Sequence, residues 1–441
     1  MIDEVSPEEL MRLERIYIMP CVKKLVPAVF VEGKGAILKD VYGREYIDAY
    51  AGVAVINTGH CHPELVKAVA EQASKLIHSS TLYYTYPPVI LAKKLSDIAP
   101  MDRGKPKKTF FCNSGGEAVE GAYFLAKKYT GKFEIITLQR SFHGRSLAAM
   151  SLTGQVRWKL KAGPSMPGVH FAPSYYCYRC PLNHKEGPPK CDYACAHYLR
   201  EIFNTQTTGQ VAAFIAEPIL GNGGAVVAPP EYFKIVKEIL DEHDVLFICD
   251  EIQTGFGRTG KMFAIEHYGV EPDIVTLAKA IAGGLPMGAF IAKSHIAEAL
   301  IPGEHFSTFG GNLVSCMAAI ANLEILKKEN LIENAARVGG FLLKRFREMM
   351  DAHKIIGDVR GKGLMIGVEL VKDRESKKPA KDEAERVILQ ALKRGVLVGI
   401  GGVEGNVLRV KPPLVITMEQ AEKVAEALDG AITAVEKEMF S

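Results

Sequence analysis

The sequence has almost no excess of charge of either sign. Lys and Arg number 54 against 51 Asp and Glu, a net charge of +3 over 441 residues, so it carries no electrostatic footprint for a nucleic acid or an anionic membrane. Long apolar runs are also missing. The longest stretch without Asp, Glu, Lys or Arg, residues 305–323, is rich in Ser, Thr, Asn and Gly, unlike the ~20 mostly apolar residues of a membrane-spanning helix. The opening MIDEVSPEEL is acidic and has neither a basic nor an apolar targeting region, so the expectation is a cytoplasmic protein whose partners are small molecules. No unit repeats and no low-complexity tract interrupts the chain, which sets aside solenoids and disordered tails. With 48% apolar residues, the chain can bury one large core and a satellite.

Cysteine is present in an odd number, nine. Cys21, Cys61, Cys112, Cys249 and Cys316 read as reduced thiols in apolar or mixed surroundings. The other four, Cys177, Cys180, Cys191 and Cys195, crowd into SYYCYRCPLNHKEGPPKCDYACAHYL, residues 174–199. Their C-x2-C-x10-C-x3-C spacing is compatible with a tetrahedral zinc site, with His184 and His197 nearby, and equally with a thiol stitch or plain packing. Packing or a stitch ranks above zinc, so no metal is assigned.

Short apolar runs alternate with helical patterns: TFFCN at 109–113, EIITL at 134–138, AAFIAEP at 212–218, VLFICDE at 245–251 and DIVTLAK at 273–279. This is the pattern of an α/β domain with a largely parallel sheet. From about residue 320 the character changes to one long helical pattern reaching residue 353, an alternating strand in VRGKGLMIGVELV, a helix at about 381–394 and a last helix from Met418. With GAILKDVYGREYIDAY, which reads as a hairpin, these build a smaller α+β unit. The expected division is 1–60 packing with the small domain, 61–330 as the large domain carrying the 174–199 insertion, and 331–441 as the small domain.

In open α/β sheets ligands sit at the carboxyl ends of strands. After TFFCN, Gly115 and Gly116 open a helix, where unpaired N–H groups can take a phosphate; the plain alternative is a tight turn. After EIITLQR come Phe142, His143 and Gly144, and an aromatic ring there can stack on a planar ligand. After VLFIC come Asp250 and Glu251, carboxylates that need a cation or strong donors if buried. After DIVTLA comes Lys279, an amine that burial would favour as neutral, unless it snorkels to water. An anion cradle, a stacking ring, an acid and an amine are the parts a pyridoxal phosphate site requires.

At these residues the chain resembles the class III (ω-amino acid type) aminotransferases of pyridoxal-phosphate fold type I. The resemblance runs along almost its whole length, through AGVAVINTGHCHPELVKAV, NSGGEAVEGA, SFHGRS, AEPILGNGG, FICDEIQTGFGRTGKM, LAKAIAGGLPMGA, HFSTFGGN and NVLRVKPPL. It implies a large domain with a mostly parallel seven-stranded sheet flanked by helices, and pyridoxal 5'-phosphate as cofactor. It implies that Lys279 forms the Schiff base, Asp250 pairs with the ring nitrogen, and Ile252 and Phe142 lie on the two ring faces. Gln253 would face the ring hydroxyl, His143 would join the cofactor site, Gly115 and Gly116 would bind phosphate, and Thr308 would reach the phosphate of a neighbouring subunit. A homodimer or dimer of dimers with shared active sites follows. Arg409 would take the substrate's α-carboxylate, with Arg145 and Glu217 also at the substrate. Val53, Tyr83 and Tyr84 are read as pocket lining, with core packing an equal alternative.

One departure bears on the substrate. Many relatives that use 2-oxoglutarate carry Glu where this chain has Asn222 in GNGG, and Asn cannot neutralise Arg409. The expectation is an aminotransferase that moves an amino group from an amine or amino acid to a short 2-oxo acid, pyruvate or glyoxylate, and not to 2-oxoglutarate only. Racemases and dialkylglycine decarboxylases resemble the same family and stay open as alternatives. GFGRTGKM fits the core of a nucleotide-binding loop, but Met262 stands where a magnesium-binding Ser or Thr is needed.

Overall fold

The computed structural model describes residues 5–440. At its centre is a seven-stranded sheet of β1 (Lys107–Cys112), β2 (Glu134–Leu138), β3 (Val169–Ala172), β4 (Val211–Ala216), β5 (Leu246–Asp250), β6 (Ile274–Leu277) and β7 (Gly288–Lys293), in the order β1-β7-β6-β5-β4-β2-β3. Strands β3, β2, β4, β5 and β6 pair in parallel. Only β7 is reversed, antiparallel to both β6 and β1. Helices cover both faces, so β2 and β4 are buried at every residue, and this is why they read as unbroken apolar runs instead of alternating ones. The helix Gly115–Thr130 lays Ala118, Ala122 and Ala126, one face at i, i+4 spacing, into the core. It opens on Ser114, whose hydroxyl accepts the Glu117 N–H at 3.3 Å, and stops at Gly131 with φ 69°.

A second, antiparallel sheet is built from Ile356–Lys362, Met365–Leu370, Val407–Val410 and Gly399–Gly401. The hairpin expected near the N-terminus forms from Ile37–Asp40 and Glu45–Asp48, and the latter strand pairs in parallel with Val396–Leu397. The N-terminal segment and the C-terminal part are thereby joined in space, as the fold class requires.

Two expectations need correction. The helical pattern at 320–353 is two helices, Leu313–Lys328 and Leu331–Ala352, because Asn330 adopts φ 50°, a left-handed conformation that Asn tolerates and that ends a helix. VRGKGLMIGVELV is not one strand but most of a hairpin, turning at Gly363 with φ 53°. Its second arm, Met365–Leu370, is buried at all six positions, so the alternation read from sequence was not its governing pattern. Among the described residues no helix is long and apolar enough to cross a membrane.

Candidate active site

The carboxyl ends of β5 and β6 lie side by side, with Asp250 opposite Thr276, and a cavity of about 580 Å³ opens above them. Lys279 follows β6 at φ 46°, opening a short 3-10 turn. That left-handed step takes its side chain out of the strand direction and into the cavity wall, which also includes Gly115, Gly116, Phe142, His143 and Ile252. Burial holds the Lys279 amine below the ordinary lysine range; Asp250 and Glu217 oppose that shift, and Arg409 adds to it.

Asp250 is only 3% exposed. One of its oxygens accepts the Ile252 N–H at 3.0 Å, and the other lies 2.6 Å from His143 Nδ1. His143 is buried, and its Nε2 has no partner. Behind this pair sits Glu217, also buried, which accepts the N–H groups of Phe142 at 2.9 Å and Gly221 at 2.8 Å. Burial pushes the Glu217 carboxyl up to about 7, helped by Asp250 and opposed by His143 and the two N–H donors. The neighbouring Glu251 is likewise raised by burial to about 7, but it is tied to Thr254 and the Ile265 N–H, inside the core.

The rim fits an anion. Gly115 and Gly116 supply the first N–H groups of a sixteen-residue helix, which have no partners within the helix. A Cβ on Gly115 would stand 3.0 Å from Ile252 Cδ1, and one on Gly144, at φ 143°, would stand 3.0 Å from Gly116 Cα. Glycine is required there to keep the cradle open. With an amine and an aromatic ring on the remaining walls, and the buried Asp250 carboxylate behind the wall residue His143, the cavity fits pyridoxal phosphate.

The carboxylate end is built on the strand Val407–Val410. Arg409 is buried, donates through Nη2 to the Ile400 carbonyl at 2.6 Å and to the Tyr50 hydroxyl, and leaves Nε and Nη1 without partners. Asn222 does not meet Arg409; its Oδ1 accepts from Arg157 Nη2 at 2.5 Å. Arg157 is close enough to Arg409 for the two charges to repel, and burial together with that repulsion lowers its pKa. Arg145 is exposed and lines the cavity.

Four expected residues lie off this cavity. Val53 is exposed at φ 71°, and Val55 takes its place on the cavity wall. Tyr84 is fully exposed, as is most of Tyr83, and neither lines the cavity or packs in the core. Thr308 is exposed too, away from this chain's cavity. Gln253 is buried, and its Oε1 accepts from Lys411. Lys411 went unread in the sequence, although it directly follows the strand Val407–Val410 that carries Arg409. The signal was the one that marked Lys279, a lysine ending an apolar strand.

A family model described as aminotransferase class-III matches residues 18–432. The chain belongs to the class III aminotransferases. These are pyridoxal-phosphate enzymes. This class III chain is 42% identical to an acetylornithine aminotransferase of Methanothermobacter thermautotrophicus, over 97% of its own length and 100% of the relative's. It is 41% identical to a leucine/methionine racemase of Thermococcus litoralis, over 98% and 96% of the two chains. Among solved structures it matches an aminotransferase of Bacillus anthracis with a TM-score of 0.90 at 34% identity, covering 97% and 98% of the two chains.

The class III frame also disposes of the nucleotide-loop alternative. Residues 255–259 are buried, and a Cβ on Gly260 would stand 2.8 Å from Ala336 Cβ, so helix Leu331–Ala352 fills the space phosphates would need. The cysteine segment lies apart from the cavity. It holds to the C-terminal sheet, where Arg179 Nε donates to Glu369 at 2.6 Å and Tyr176 donates to the same carboxylate. All nine cysteines are free, and no group of three or more His, Cys, Asp or Glu among the described residues could hold a metal ion.

Proposed function

We propose that this chain is a transaminase that moves an amino group from an amine or amino acid to a 2-oxo acid by a ping-pong mechanism. The observation that carries this reading is Lys279, an amine with a lowered pKa at a strand end, beside a buried carboxylate and a glycine-walled helix N-terminus. Bound there, pyridoxal phosphate would supply an aldehyde reactive toward amines and a ring able to accept electrons. Lys279 holds the cofactor between turnovers and, once displaced, its free amine takes the proton from the substrate carbon and carries it back. Asp250, which accepts the Ile252 N–H and lies against His143 Nδ1, would pair with the ring nitrogen. Ile252 and Phe142 would hold the ring, and Gln253 would face its hydroxyl. Arg409, with two buried N–H groups unpaired, takes the substrate carboxylate.

The acceptor we propose is a short 2-oxo acid such as pyruvate or glyoxylate, because Asn222 is engaged by Arg157 and does not cover Arg409. Single-turnover rates with pyruvate, glyoxylate and 2-oxoglutarate test this, and a strong preference for 2-oxoglutarate contradicts it. A cytoplasmic homodimer, with Thr308 reaching the phosphate of a second copy, completes the proposal; sedimentation of the holoenzyme tests the dimer. The 41% identity to a racemase supports a second reading, in which the proton returns to the opposite face of the same carbon. Incubating one amino-acid enantiomer with and without a 2-oxo acid separates them: a transaminase needs the 2-oxo acid, a racemase does not.

A further inference from the structure

Lys411 is fully buried, and among the described residues its amine forms no ion pair with a carboxylate. Its Nζ donates to Gln253 Oε1 and, at 3.5 Å, to the Gly221 carbonyl. Around it stand the cations Arg409, Lys279 and Arg258 and the single carboxyl Glu217; burial and then those cations press its pKa well below the ordinary lysine range. A lysine kept in such surroundings without a counter-ion costs stability. It has no access to the cavity and is not on its wall, so its use must lie in what it touches.

It touches the amide that follows Ile252, the residue on the cavity wall. In the bond between them the Lys411 amine is the donor and the Gln253 side-chain oxygen the acceptor, so the oxygen end of the amide points at the lysine. The amide nitrogen is left as a donor. Among the described residues it has no hydrogen-bond partner and is not one of the buried unpaired atoms, so it retains solvent-accessible surface.

We propose that Lys411 is a positioning residue that locks the Gln253 amide with its N–H donors toward the cofactor's ring oxygen, thereby setting the proton affinity of the bond between Lys279 and the cofactor. The inference rests on the function proposed above. A donor on the ring oxygen stabilises its negative charge and weakens its hold on the neighbouring nitrogen's proton, so losing the lock raises the apparent pKa of the visible band.

The test is a spectroscopic pH titration of the holoenzyme and of Lys411→Met, Gln253→Leu and the double variant. Met fills the buried space without polar demands, and thermal unfolding checks that each variant is folded. The expected result is a rise of about one unit in either single variant, the worth of one hydrogen bond, with no further rise in the double variant. An unchanged titration in either folded single variant overturns the proposal. So do shifts that add in the double variant, because Lys411 would then act through its charge and not through Gln253. If Lys411→Met does not fold, an unshifted Gln253→Leu still overturns it. A wild-type protein with cofactor bound and no lysine-dependent visible band overturns the proposed function itself, a distinct result.

Discussion

Two buried carboxylates, Glu217 and Glu369, show what separates a reacting site from a structural joint. Glu369 sits under the cysteine segment and is surrounded by cations and a phenol: Arg179 at 2.6 Å, Arg360 at 2.8 Å, and Tyr176. Burial raises its pKa, but Arg360, Tyr176 and Arg179 more than offset this and hold it below the ordinary carboxylate range. Glu217 is as deeply buried, yet its direct donors are two neutral N–H groups, and its carboxyl is pushed up to about 7. One carboxylate has its charge fixed and pins the insertion to the C-terminal sheet. The other has an adjustable proton, beside unpaired groups on His143 and Arg409 that a ligand would complete.

The comparison can be broken from either side. The largest effect belongs to Lys279→Ala, which should abolish turnover and the visible absorbance of bound cofactor; either one surviving would move the chemistry away from the end of β6. Next, Arg409→Met should raise KM for the 2-oxo acid about 10- to 100-fold, the loss of a charge-assisted hydrogen bond, with the cofactor spectrum unchanged. On the structural side, Glu369→Gln leaves Arg179 without its carboxylate and Arg360 with Asp358 alone, and should cost about 3 kcal/mol in denaturant unfolding. Its visible titration should stay as in wild type, and a shift there would mean the two clusters are one.

Smaller is the proton at Glu217. Its folded pKa is raised, so between about pH 4.5 and 7 the folded chain holds a proton that the unfolded chain has released. Stability from this group is therefore present at the acid end and falls as pH rises through that window, by at most about 3 kcal/mol. Unfolding of the apoprotein at pH 5.5 and 7.5 should show a larger decline in wild type than in Glu217→Gln. The smallest effect is expected from chelation: EDTA should leave the thermal midpoint unchanged, since the four clustered thiols pack without metal, and a marked drop would revive zinc.

Much of this was legible in the sequence because buried parallel strands announce themselves. Runs such as FICDE and DIVTLAK end beside the cavity, so the strand ends pointed to Asp250, Lys279, Phe142 and the glycine pair. What escaped was set by side chains meeting across distant segments. Asn222 was read as unable to neutralise Arg409, but its partner Arg157, 65 positions away along the chain, was not read. Lys411 was passed over because its significance depends on Gln253, 158 positions distant. Val53 failed for a local reason, since its left-handed backbone turns the side chain outward. The break at Asn330 was hidden because apolar periodicity continues on both sides of it.

The central claim is that the Lys279 site hands an amino group to a 2-oxo acid. The direct measurement is the visible spectrum of the holoenzyme mixed with one enantiomer of an amino donor, followed by pyruvate. The account predicts that the band bleaches with donor alone, stays bleached, and returns when pyruvate is added, with one alanine formed per site. A band that persists with donor alone while the donor's enantiomeric excess decays would contradict it and make the enzyme a racemase.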